Sequence, residues 1–158
     1  MFTKEFDIRW SDLDANRHLA NSAFINFMSH TRMAYLIENG FGQKEMAKYN
    51  IGPVIFYEHI FYFREVLQGK PIKVSFEVGG VSEDGSLFKF VHNFYDSNGK
   101  NLATCDMLGC WMDLKERKMT TFPKELNHVL KNAPKSEDFK ILTKEDTRAF
   151  GKMPKDLD

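Results

Sequence analysis

The chain has 158 residues, 42% hydrophobic and 28% charged, with 22 basic and 22 acidic side chains and a formal net charge of zero. Such a size and apolar fraction suit one globular domain with a single core and exclude a disordered chain. The balanced charge excludes the basic field of a nucleic-acid binder, and no apolar run approaches the roughly 18 residues of a membrane span.

The opening "MFTKEFDIRW" has no basic segment followed by an apolar run, so no secretory signal is expected and a cytoplasmic location is. Phe6, Ile8 and Trp10 alternate with Asp7 and Arg9, which predicts a strand over Thr3 to Trp10. A polar loop follows, "SDLDANRHLANSAF" from Ser11 to Phe24. From Ser22 to Asn39 the period changes, and Phe24, Phe27, Met28, Thr31 and Tyr35 form one helical stripe. Asn21 or Ser22 is expected to cap that helix and Asn39-Gly40 to stop it. A short second helix is expected over Gln43 to Lys48.

Beyond Gly52-Pro53 the pattern is that of strands. They are predicted over Val54 to Val66, from Ile72 to Val78, through the Phe88, Phe90, His92 and Phe94 stripe, and over Asn101 to Leu114. The "SEDGS" and "DSNGKN" stretches supply the turns. Cys105 and Cys110 stand an odd number of residues apart in one strand, so they face opposite ways and are expected buried and reduced. "KELNHVLKNA" after Pro123 reads as a short helix. Residues 1–133 are expected to form the domain, and the charged stretch 134–158 an appendage that packs loosely or not at all. One long amphipathic helix beside a run of antiparallel strands implies an α+β fold, a curved sheet of about five strands wrapped around that helix. The sheet edges invite pairing between copies.

The loop and the element order together resemble the hotdog-fold acyl thioesterases of the 4-hydroxybenzoyl-CoA and YbgC type. That likeness spans about Phe2 to Arg117 and rests on Asp12, Asp14, His18, Asn21, Phe24 and, further along the helix, Arg32. "DANRH" is also similar to the Asp-x-Asn-x-His loop of plant acyl-carrier-protein thioesterases, through Asp14, Asn16 and His18. Arg17 stands where the family usually has glycine, Ala20 where it has the first asparagine of a pair, and Phe24 where it has tyrosine.

The resemblance implies hydrolysis of an acyl-CoA or acyl-carrier-protein thioester in a homodimer or homotetramer, with no metal or redox cofactor. Asp14 would act as general base or nucleophile, Asn16 would orient the water or carboxylate, and His18 would share the proton transfer. Asn21, Ser22, Ala23 and Phe24 would bind substrate, with the first helix amides facing the developing oxyanion at the positive end of the helix. The plainer alternatives stay open. Asp12 suits a turn, Asp14 and Asn21 also suit a turn and a cap, and the phenylalanine stripe suits plain core. His30, His59, His92 and His128 share no metal-ligand spacing, and Glu58 is expected on the solvent face. Arg64, Lys89, Lys115 and Arg117 are candidate phosphate cations. Two other functions fit the same reading, a hydroxyacyl-thioester dehydratase and a non-catalytic acyl-binding module.

Overall fold

The computed structural model describes residues 1–157. In chain order the elements are β1 (Phe2–Phe6), α1 (Asn21–Glu38), α2 (Gln43–Tyr49), β2 (Ile51–Tyr62), β3 (Ile72–Ser82), β4 (Leu87–Tyr95), β5 (Asn101–Asp113), β6 (Lys118–Thr120), α3 (Asn127–Lys131) and β7 (Lys135–Leu142). Five strands run in the order β1-β3-β4-β5-β2, with β6 added to β5 and β7 to β3. All pairings are antiparallel except β3 with β7. The fold is the expected α+β hotdog arrangement, enlarged from five strands to seven. No helix is long and apolar enough to cross a membrane.

The stripe predicted for α1 is its buried face: Ala23, Phe24, Phe27, Met28, Thr31, Tyr35 and Leu36. It packs on Phe76, Phe90 and Phe94 of the sheet, all buried, as is the expected stripe companion His92. Tyr35 stacks on Phe76 at 4.7 Å between ring centres, and Phe24 meets Phe94 at 4.9 Å. The helix stops where expected, with the Asn39 side chain donating to the Tyr35 carbonyl at 2.8 Å and Gly40 at φ 85°. Its start differs. Ala20 is the N-cap, with no side-chain cap bond, so neither Asn21 nor Ser22 serves as the cap. Backbone pairing holds this end instead: the Ala20 amide donates to the Asp12 carbonyl at 2.8 Å, and the Ala20 carbonyl accepts the Ala23 amide at 2.9 Å.

Two strand ends move for local reasons. β1 stops at Phe6 because the Arg9 amide, Nε and Nη2 all donate to the Asp12 carboxylate, at 2.9, 3.0 and 2.8 Å. That fork winds Trp10–Asp12 into a 3-10 turn and leaves Trp10 80% exposed. β2 starts at Ile51 and stops at Tyr62, because the Phe63 and Arg64 amides both turn to the Leu102 carbonyl, at 2.9 and 3.1 Å.

After residue 133 the chain is not loose over Lys135–Leu142, where it forms β7. β1 pairs only with Ile72 to Phe76 of β3, and β7 takes up the same strand from Val78 to Ser82. Leu142 at the end of β7 is buried with Leu87, Leu108 and Cys110 on the outer face of the sheet. Phe150 then stands edge-on against Tyr57 and His59, at 5.0 and 4.9 Å. Charge dominates the composition of this segment, but Leu142 and Phe150 each find a partner. The cysteines are free and buried in two different clusters, Cys105 on the helix side and Cys110 on the outer side.

Candidate active site

The loop between β1 and α1 is folded back on itself. The Asp14 amide donates to the His18 carbonyl at 2.9 Å, and the Arg17 amide to the Asp14 carbonyl at 3.0 Å. Asp14 Oδ1 accepts the amides of Asn16 and His18, at 2.8 and 3.1 Å. This tight turn requires a left-handed residue at its corner, and Arg17 sits there at φ 63°. A glycine would take that conformation without steric cost, which gives the family's residue at this position a physical reason. The loop is docked on the chain leaving β2: the Leu19 amide donates to the Val66 carbonyl at 2.7 Å, and His18 bridges to Leu67.

A cleft of about 420 Å³ opens beside this loop. Asp14, His18, Asn21 and Phe24 line it from the loop and the first turn of α1, while Tyr62, Phe63, Arg64, Glu65 and Val66 line it from the end of β2. Asn16 contributes its amide to the Asp14 turn and does not line the cleft, nor does Ser22. Ala23 is buried beneath it. Since the Ala23 amide is engaged by Ala20, the amides of Asn21 and Ser22 are the first-turn donors that meet no acceptor among the described residues. A larger cavity of about 620 Å³ lies at the far end of the sheet, between the β3–β4 turn and α3, and contains none of the loop residues.

Glu65 is the polar residue that sequence reasoning passed over. One of its carboxylate oxygens is 2.8 Å from His18 Nε2. The only available signal was its position two residues beyond the aromatic run that ends β2. Of the four candidate phosphate cations, Arg64 reaches the cleft. Lys89 is occupied by Asp106 and Asp138, at 3.4 and 2.9 Å, and Lys115 and Arg117 lie in the turn between β5 and β6.

Asp12 and Asp14 have separate environments. Asp12 is buried and held below the usual carboxylate range, first by the Arg9 side-chain hydrogen bonds, so it belongs to the turn. Asp14 is exposed in the single chain. Its Oδ1 is fixed by two amides, and its Oδ2 has no partner among the described residues. A carboxylate with one oxygen anchored and the other free can be aimed at a water or a carbonyl carbon. The interior thiol offers no rival nucleophile, since burial pushes Cys105 up to about 12.

The sequence pattern that defines the thioesterase-like superfamily matches residues 8–130, which include the whole loop and cleft. The chain belongs to that superfamily. Solved structures superpose over most of its length. A hypothetical protein from Staphylococcus aureus, in complex with CoA, is 18% identical with a TM-score of 0.75, over 85% of this chain and 87% of that one. A 1,4-dihydroxy-2-naphthoyl-CoA thioesterase from Synechocystis is 14% identical with a TM-score of 0.74, over 83% of this chain and 96% of that one. A probable thioesterase from Escherichia coli is 20% identical with a TM-score of 0.71, over 85% of this chain and all of the other. At these identities the likeness is one of fold. No curated protein matches the chain.

Proposed function

We propose that this superfamily member hydrolyses an acyl thioester to the free acid and thiol, with Asp14 as the general base or nucleophile. The observation that carries the reading is that Asp14, His18 and the first turn of α1 border one cleft. The unpaired Asn21 and Ser22 amides at the positive end of an 18-residue helix are donors for the oxyanion that develops on the thioester carbonyl. His18, held by Glu65, carries the proton toward the leaving thiolate. Asn16 serves through its amide, which orients the Asp14 carboxylate, and Phe24 packs against the acyl group.

The handle is CoA or the equivalent arm of an acyl-carrier protein. The CoA-bound fold neighbour supports CoA, and Arg64 at the rim is the cation available for its phosphates. The free edge of β2, with Phe56, Phe61 and Phe63 exposed beside it, supports assembly into a homodimer or a homotetramer, a dimer of dimers. The same reading takes the protein as cytoplasmic.

Thiol release from a panel of acyl-CoA and acyl-carrier-protein thioesters tests this reading. Turnover is expected on at least one class. No thiol release across the panel contradicts it. A second reading, an acyl-binding module without turnover, draws on the two amides that Asp14 Oδ1 accepts, a bonding pattern that also suits a turn anchor. Ligand binding without thiol release, unchanged in Asp14→Asn, is its signature.

A further inference from the structure

The cavity of about 620 Å³ at the far end of the sheet shares no lining residue with the Asp14 cleft. Its size falls within the range of small-molecule sites, about 300–1,000 Å³. Its walls are tied to the rest of the fold. The Phe122 amide donates to the Gly85 carbonyl at 3.0 Å, which joins the β3–β4 turn to the chain ahead of α3. The Phe122 ring packs on Phe41 and Trp111, at 4.9 and 4.8 Å between ring centres. The Tyr35 hydroxyl of α1 donates to the Val129 carbonyl of α3 at 2.8 Å, and the Val78 amide holds the entry to β7 through the Pro134 carbonyl at 2.7 Å. The hollow is therefore preformed, not a gap under a free loop.

Its apolar lining comes from Phe122 and Leu130, both buried, and from Phe139, partly buried. Three lysines border the same space: Lys124 just ahead of α3, Lys131 at its end, and Lys135 on β7. Lys135 and Phe139 lie on one face of the strand, with Lys135 Nζ 4.7 Å from the centre of the Phe139 ring. Among the described residues none of the three lysines forms an ion pair. Two acids also line the cavity, Glu83 and Asp84. Asp84 Oδ1 is committed to its own turn, accepting the Ser82 hydroxyl at 2.6 Å and the Ser86 amide and hydroxyl at 2.9 and 2.7 Å. Three cations against two acids leave the lining one positive charge. A single surface lysine is ordinarily just solvated. Here three converge from two elements on one apolar hollow.

We propose that this cavity is a second ligand site, separate from the thioester cleft, which takes a carboxylate of single negative charge on an apolar body. The body lies against Phe122, Leu130 and Phe139, and the carboxylate accepts from Lys124, Lys131 and Lys135. One negative charge matches the lining. A nucleoside diphosphate would bring further negative charge beside Glu83 and Asp84, and an uncharged apolar molecule gains nothing from the lysines. The inference goes beyond the thioester reading and does not depend on it, because binding is read without turnover.

Decanoate titrated into the full-length protein, followed by calorimetry and by backbone amide chemical shifts in NMR, tests the site. Shifts are expected at Gly85, Leu130 and Phe139. Replacing decanoate with decanol, which keeps the chain length and removes the charge, is expected to weaken binding about three- to tenfold. The double variant Lys124→Gln with Lys131→Gln is expected to weaken decanoate binding by the same factor. Both lysines are exposed, so the variant is expected to fold, which thermal denaturation checks. Lys135→Gln is the second variant, with a smaller loss. No decanoate shift at the cavity amides overturns the proposal, whether or not the Asp14 loop responds. Equal affinity for decanol, undiminished affinity in the folded double variant, or tighter binding of ADP than of decanoate at the same amides also overturns it. Cavity shifts with decanoate, together with no thiol release from any thioester, sink the thioester reading alone.

Discussion

His18 Nε2 lies 2.8 Å from a carboxylate oxygen of Glu65, while the His18 amide donates to Asp14 Oδ1 at 3.1 Å. One residue thus links the loop carboxylate through its backbone and a second carboxylate through its ring. The imidazole is oriented from the β2–β3 connection, not from within the loop that carries it.

That linkage makes the two side chains a unit. His18→Ala and Glu65→Gln are each expected to lower kcat, and the double variant to lose less than the sum. Both partners are partly exposed, so the coupling is expected at about 0.5–1 kcal/mol in activation free energy. A double-mutant cycle on kcat measures it, and full additivity contradicts the pairing.

Arg17 is held at φ 63° by the turn that Asp14 closes. Arg17→Gly is expected to raise stability by about 0.5–1 kcal/mol, as relief of a left-handed side-chain penalty. Denaturant midpoints at equal slope check this. A fall in midpoint shows that the Arg17 side chain makes a stabilising contact that outweighs the backbone strain.

His92 is fully buried, with its Nδ1 2.7 Å from the Ser75 carbonyl, and burial pushes its pKa down to about 3. The unfolded chain takes up a proton near 6.5 that the folded chain refuses until about 3. Stability from this site is therefore complete above pH 6.5 and falls as pH drops toward 3, with a slope of at most about 1.4 kcal/mol per pH unit. Asp84 acts lower. Its pKa is depressed to about 2, first by the Ser82 and Ser86 hydroxyls, and its contribution is lost only as pH falls from 3.8 toward 2. Between pH 6.5 and 5 the decline thus belongs to His92, and His92→Gln is expected to flatten it. An equally steep decline in that variant contradicts the assignment.

A Cβ at Gly80 would stand 2.7 Å from the Lys140 carbonyl oxygen, a contact that only backbone movement relieves. Gly80→Ala is expected to loosen β7 and destabilise the protein by about 1–3 kcal/mol. Amide exchange over Lys135–Leu142 reads this out, and unchanged protection there contradicts it.

The helix, the succession of strands along the chain and the polar loop were legible because each rests on local periodicity or on spacing within a few residues. The stripe from Phe24 to Tyr35 announces the buried face of α1 by itself. β7 was not legible, because its place depends on half of β3 being left free and on Gly80 admitting a neighbouring backbone. Within the site, Asp14 and His18 could be read from one short motif. Their contacts could not: Glu65 joins His18 across 46 intervening positions, and the start of α1 is fixed by Ala20 and Asp12 backbone pairing rather than by a capping side chain.

The most direct measurement is kcat for Asp14→Asn on the best wild-type thioester, with folding verified by thermal denaturation. The account predicts a loss of about 10²–10⁴ in kcat in a folded protein. A folded Asp14→Asn protein that turns over at the wild-type rate contradicts it.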